Sequence, residues 1–410
     1  MPTRALALRA RLVIPVSSDP IEHGWVTIED GRIAAVGQVA PAGARVDDLG
    51  DVALLPGLIN AHAHLNLSDF DQPLGNPGVR LADWIPQLLA SRANRLPDAR
   101  HPIMRGLHEC LHAGCVAVAD ITPPNWPEDE VGRHAVRVAA FMELIAPTPQ
   151  RVGPALDRAR EHLKPRPGAC WQRGLSPHAP YTVRLEALDA AMALAKAAQA
   201  PVAMHLAESM EEIDLLATGD GPLFDMLASL GAWSPGLVSP PSRPMDYLRR
   251  LAEAPRALVI HGNYLDANEW AYLAERRERM SVVYCPRSHA HFGHAAYPLA
   301  NMLAAGVNVC LGTDSRASAP DLSPLAEMRF AARRHPDVTP ATIVALCTLA
   351  AARALGCAEE LGSVEPGKRA DLTAVALPPD SAGDPYRMLL DGGGQVVASW
   401  IDGCLTQALA

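Results

Sequence analysis

Residues 54–64 read Leu54-Leu-Pro-Gly-Leu-Ile-Asn-Ala-His-Ala-His64. An apolar run, Leu54–Leu58, gives way within a few residues to two histidines. A segment apolar at nearly every position is buried on both faces, as a strand of a parallel sheet is. The same texture recurs in Val116–Ile121, Val138–Leu144, Pro201–His205, Ala257–His261, Ser281–Tyr284 and Val307–Leu311. Helical patterns such as Leu185–Gln199 and Asn268–Arg279 fall between several of them. With Leu54–Leu58 and the stretch near Gly174–Ser176 the runs number about eight, the count a (β/α)8 barrel needs.

Outward from this region the texture changes. Trp25–Glu29 and Arg32–Val36 flank Asp30-Gly31, a strong hairpin signal. Ala370–Ala376, Val396–Ile401 and the turn Asp402-Gly403 read as strands again near the other end. The expected division is an α/β chain: a β-sandwich from 1–56 and 362–410, and a barrel over 57–361.

The composition excludes several classes. Of 410 residues 49% are hydrophobic and 20% charged, which rules out wholesale disorder. Lys+Arg 36 against Asp+Glu 45 gives a net charge of −9, against nucleic acid as a partner. No stretch reaches the roughly 18 apolar residues of a membrane span, and the N-terminus lacks the apolar core of a secretory signal. The eight cysteines form no CxxC pair and read as thiols of a reducing compartment. A cytoplasmic enzyme acting on a small molecule is expected, with a homo-oligomer left open.

The polar residues at the ends of the apolar runs carry the chemistry. His62 and His64 follow the first run, His178 follows Leu175, and His205, His261 and Asp314 close later ones. In a barrel these ends converge on one mouth. His62-Ala-His64 places two imidazoles on one side of a strand. His205 and Asp314 could complete a set for a divalent ion with an open position. Glu208, just beyond His205, is placed to move protons for a water activated there.

A rival motif is His108-Glu109-Cys110-Leu111-His112, which matches the HExxH helix of zinc peptidases. Its helix stops at Gly114 and feeds the run Val116–Ile121. It therefore belongs on the outer ring, away from the mouth.

Together these residues resemble the amidohydrolase superfamily, in its cytosine deaminase-like and chlorohydrolase-like branch. The carriers are Leu55–His64, Ser176-Pro-His-Ala-Pro-Tyr-Thr182, Met204-His-Leu-Ala-Glu208, Val259-Ile-His-Gly262, Leu311-Gly-Thr-Asp-Ser315 and Gly362–Asp371. The resemblance implies one divalent ion, zinc or iron, held by His62, His64, His205 and Asp314. It implies Glu208 as proton shuttle, His261 orienting the attacking water, and His178 touching substrate. Two departures bear on substrate. Cys285-Pro-Arg-Ser-His289 replaces the usual Asn-Pro-x-Ser-Asn; its Ser288 is taken as a substrate contact. Ala93 stands nine residues after Trp84, where enzymes that deaminate methylthioadenosine and S-adenosylhomocysteine carry a glutamate for the ribose diol. The loop Leu81-Ala-Asp-Trp-Ile-Pro-Gln87 is more similar to aminodeoxyfutalosine deaminases of menaquinone biosynthesis, whose substrate carries a benzoate.

The expected function is hydrolytic deamination of a 6-aminopurine nucleoside such as aminodeoxyfutalosine. Trp84 is the candidate wall for an aryl group, and Arg92, Arg95 and Arg287 for a cationic rim that pairs with a carboxylate. The alternatives are the same site acting on another C–N or C–Cl bond of a pyrimidine or triazine, an HExxH peptidase, and an inert scaffold. Ammonia release separates the first from deamination. Peptide hydrolysis that survives loss of His205 would favour the second.

Overall fold

Eight parallel strands close into a barrel in the computed structural model, which describes residues 5–39, 43–93, 99–165, 171–379 and 382–408. In order they are Leu58–Ala63, Cys115–Thr122, Arg137–Leu144, Gln172–Pro177, Val202–Leu206, Ala257–His261, Met280–Tyr284 and Val309–Leu311. The last closes on the first through a parallel bridge between Ala63 and Asp314, with Thr313 N–H donating to His62 O at 3.0 Å. The strands are buried on both faces, and period 2 sorts their side chains. Ala139 and Phe141 join Ile59, Ala61 and Leu258 inside the barrel. Val138 and Ala140 face outward, into a cluster that also holds Ile103 and Leu107 of the helix Arg100–His112.

The run Leu54–Leu58 is not one strand. Val52–Pro56 pairs antiparallel with Leu372–Ala376 in a different sheet, and the first barrel strand begins at Leu58. Gly57 is the joint. A Cβ there would lie 2.3 Å from Val116 Cγ1, so only glycine lets the chain pass this close to the second barrel strand. Its N–H donates to Asp371 O at 2.9 Å.

Both ends of the chain build the second, mixed sheet. Its order is Cys404–Ala408, Val396–Ile401, Leu372–Ala376, Val52–Pro56, Leu6–Val13, Ile21–Glu29 and Arg32–Gly37, with Arg45–Asp48 also on Leu6–Val13. The hairpin turn Asp30-Gly31 has φ 47 and 77, the left-handed pair its sequence demands. A Cβ on Gly31 would meet Asp402 O at 2.9 Å. Turns from opposite ends of the strand order therefore touch, and the sheet curls over a core containing Leu8, Val26, Leu372 and Trp400. Among the described residues no helix is long and apolar enough to cross a membrane.

Candidate active site

The ends of the barrel strands bring five imidazoles and three carboxylates to one mouth. His62 lies within the first strand, one residue before its end, and His64 just beyond it. His205 is the fourth residue of Val202–Leu206, and His261 the last of Ala257–His261. His62 Nε2 is 3.6 Å from Asp314 Oδ1, and His64 Nε2 is 3.7 Å from the same oxygen. His64 Nε2 faces His205 Nε2 at 3.2 Å. Two overlapping triads, His62/His205/His261 and His62/His64/Asp314, each hold their ligand atoms within 4.8 Å of one another.

The donor chemistry fits a divalent ion. Both ring nitrogens of His62 are buried with no hydrogen-bond partner, an arrangement that burial otherwise penalises. His205 Nδ1 lies 2.9 Å from His178 O. A carbonyl only accepts, so Nδ1 carries the hydrogen and Nε2 presents its lone pair to the cluster. Burial, then neighbouring imidazoles, hold His64 and His205 well below the usual histidine range, in the neutral form that ligates. Ser288 Oγ and Ser318 Oγ donate to Asp314 Oδ2 at 2.6 and 2.8 Å. That leaves Oδ1 turned to His62 and His64.

Glu208 stands beside this cluster, buried, with Oε1 3.4 Å from His261 Nε2. Burial first, then the charge of Asp314, push its carboxyl well above the usual range. Asp314 moves the other way. Burial alone would raise it, but contact with His62 and the nearby His261 and His64 rings outweigh that and hold it well below. Two carboxyls pushed apart in this way suit different tasks, one exchanging a proton and one staying ionised. Ser209 N-caps the helix Met210–Thr218 by accepting from Glu212 N. Glu212 reaches back and accepts from Ala207 N at 2.8 Å and Glu208 N at 3.0 Å. Three residues here have left-handed backbones: Ala207 at φ 55, His261 at φ 67 and Asp314 at φ 60.

A cavity of about 400 Å³ opens from the cluster to the surface. His178 lines it, with Nδ1 2.7 Å from Thr182 Oγ1. Trp84, Ile85, Leu88, Ile145, Met226 and Phe292 make an apolar wall, where Trp84 meets Phe292 edge-to-face at 5.3 Å. Arg92 and Arg151 also line it, both exposed.

Some expected contacts are not formed. Arg287 is not on the rim. Its guanidinium bonds Asp321 at 2.8 Å and Glu327 at 2.6 Å, and it is 9% exposed. Two carboxylates this close outcompete any external anion. Ser288 lies behind Asp314 and does not line the cavity. Arg95 falls outside the described residues. His108 and His112 are exposed on an outer helix, and neither joins a metal-competent group among the described residues. Their Glu109 instead accepts from Arg316 Nη1 and Leu322 N, both at 2.9 Å. Three cavity or site residues escaped the sequence reading. Glu143 was hidden in the apolar run Val138–Leu144, although strand alternation with Phe141 turns it inward. Arg151 follows the third strand with no motif around it. Ser209-Met-Glu-Glu212 is a capping-box pattern that could have flagged Glu212.

The Amidohydrolase family model matches residues 53–405. The chain belongs to the amidohydrolase family. Among amidohydrolase relatives, the 5-methylthioadenosine/S-adenosylhomocysteine deaminase of Moorella thermoacetica is 30% identical over 385 residues, covering 89% of this chain and 84% of its own. The aminodeoxyfutalosine deaminase of Deinococcus radiodurans is 28% identical, covering 80% and 81%. A zinc-bound adenosine deaminase structure from Xanthomonas campestris superposes with a TM-score of 0.79 at 27% identity, covering 98% of this chain and 93% of that one. The chain is a hydrolase of the amidohydrolase family, a deaminase acting on C–N bonds, with a histidine cluster suited to a divalent ion.

Proposed function

We propose that this amidohydrolase deaminates a 6-aminopurine nucleoside bearing an apolar, anionic extension, as aminodeoxyfutalosine does. The observation that carries this is the cavity. It runs from the histidine cluster along an apolar wall to Arg92 and Arg151, neither of whose guanidinium groups has an ion pair or hydrogen bond among the described residues. Leu89, Ile145 and Leu230 line it too and are 44%, 37% and 44% exposed, leaving room for an aryl group. The Deinococcus radiodurans relative supports the same substrate.

His62, His64, His205 and Asp314 would hold the ion, and the zinc bound in the Xanthomonas campestris structure favours that metal. A bound ion of this kind lowers the pKa of a water to about 7, supplying a nucleophile at neutral pH. Glu208 accepts one proton from the attacking water and delivers it to the ring nitrogen, then accepts the water's second proton and delivers it to the departing amine. His261 fixes Glu208 and the attacking water relative to each other. The water oxygen forms the new C–O bond, the C–N bond breaks, and the amine leaves as ammonia with the second of the protons Glu208 carried. The seven described cysteines are all free, which suits a reducing cytoplasm.

The test compares ammonia release from a carboxylated adenine nucleoside and from its methyl ester. The acid should be preferred by roughly 10–150-fold in kcat/KM, the worth of a charge-assisted hydrogen bond. Arg92→Met or Arg151→Met should erase that preference and leave the ester rate alone. Equal turnover of acid and ester by the unmodified enzyme would sink the anionic substrate. A second reading, thio-nucleoside deamination, is favoured by the Moorella thermoacetica relative. Running methylthioadenosine and S-adenosylhomocysteine in the same assay decides between them.

A further inference from the structure

Glu143 is a carboxylate with no task inside the protein. It is the seventh residue of the strand Arg137–Leu144 and shares the inward register of Ala139 and Phe141, which places it at the top of the barrel interior. It lines the cavity, and its side chain is 20% exposed. Among the described residues it has no hydrogen-bond partner. Its one ion-pair contact is His178 Nε2 at 4.0 Å from Oε1, too long for a hydrogen bond. The other two carboxylates of the cavity are Glu208 and Asp314, both at the histidine cluster. A carboxylate is acceptor-only, so a half-buried one in a largely apolar cavity calls for ligand O–H or N–H donors.

We infer that Glu143 is a specificity-determining residue that accepts hydrogen bonds from the vicinal hydroxyls of the substrate's sugar. The inference rests on the purine-nucleoside reading above. On such a substrate the exocyclic amine belongs at the cluster, next to Glu208. The donors left further along the cavity are the sugar hydroxyls. Two carboxylate oxygens match two adjacent O–H groups, one bond each. Glu143 faces His178 at 4.0 Å, and the His178 ring in turn neighbours His205 of the cluster at 4.9 Å, so Glu143 lines the cavity one side chain away from the cluster, within reach of the sugar of a bound nucleoside.

The metal-loaded enzyme should be assayed for ammonia release from adenosine, 2′-deoxyadenosine and 3′-deoxyadenosine. Loss of either hydroxyl should lower kcat/KM by roughly 10–150-fold, mostly in KM, because a charge-assisted hydrogen bond is lost. Glu143→Ala should bring adenosine down to the level of its deoxy analogues while those change by only a few fold. Glu143→Gln, which keeps the shape and one acceptor, should retain part of the preference; metal content should match the unmodified enzyme in both. If the unmodified enzyme turns over all three alike, or if Glu143→Ala keeps the full preference for the diol, the inference is overturned and the deaminase reading stands. Ammonia from triazines or pyrimidines with none from any adenine nucleoside would overturn both.

Discussion

Glu208→Gln is expected to keep its metal and its fold and to lose turnover by about 10²–10⁴-fold, the usual worth of a general acid–base. The loss should exceed that range where one group serves several proton transfers. The amide is isosteric, so the helix Met210–Thr218 and the backbone bonds to Glu212 are untouched. Glu208 belongs to neither metal-competent triad, so metal content measured on the purified variant should not change. The amide cannot take a proton from water and return it to nitrogen. Ground-state binding should survive, placing the effect in kcat. A variant with near-normal kcat would remove Glu208 from the chemistry.

Arg287→Met carries the second large effect, on stability rather than turnover. The guanidinium is packed between Asp321 and the fully buried Glu327, whose carboxyl burial pushes up to about 7 even with Arg287 in place. Removing the cation leaves a buried carboxylate alone, at about 3–5 kcal/mol. The pH dependence has a definite sign. A carboxyl whose folded pKa lies above its unfolded value binds more protons when folded, so stability falls as pH rises from the ordinary carboxylate range through neutrality. Without Arg287 the folded value climbs further and that fall steepens. Urea unfolding on either side of neutral pH should show a larger penalty at the higher pH. Arg287→Met with Glu327→Leu should recover much of the loss, since a well-packed apolar pair often replaces a buried ion pair at little cost. A single variant as stable as the parent at high pH would refute this account.

The strands were legible because burial on both faces leaves continuous apolar runs. Ala257–His261 and Val396–Ile401 have the same ends in sequence and structure. The first barrel strand was misplaced because Leu54–Leu58 is equally apolar on both sides of Gly57. Hydrophobicity records burial and not which sheet provides it. The histidines and Asp314 could be read because each follows its run in the chain. Arg287 could not, since its partners lie 34 and 40 residues away and an arginine after a strand looks the same whether it meets substrate or a buried acid. Glu143 and Arg151 show the converse problem. Each is one charged residue among ordinary neighbours, and only closure of the barrel puts them on one cavity.

The left-handed backbones of Ala207, His261 and Asp314 bear on any attempt to harden this protein by random mutagenesis. Glycine adopts that conformation without the Cβ penalty, worth roughly 1–2 kcal/mol for an ordinary L-residue. At 207 the site uses only backbone groups, the N–H to Glu212 and the carbonyl from Tyr264 N, so Ala207→Gly relaxes the main chain without removing a reacting group, against the loss of one buried methyl. At 261 and 314 the same exchange relaxes the main chain and deletes an imidazole or a carboxylate. A screen scored on survival of heating would admit glycine at 207 and reject it at 314, where the buried Ser288 and Ser318 hydroxyls would lose their acceptor at a cost that offsets the relaxed main chain. A turnover filter would keep only the first.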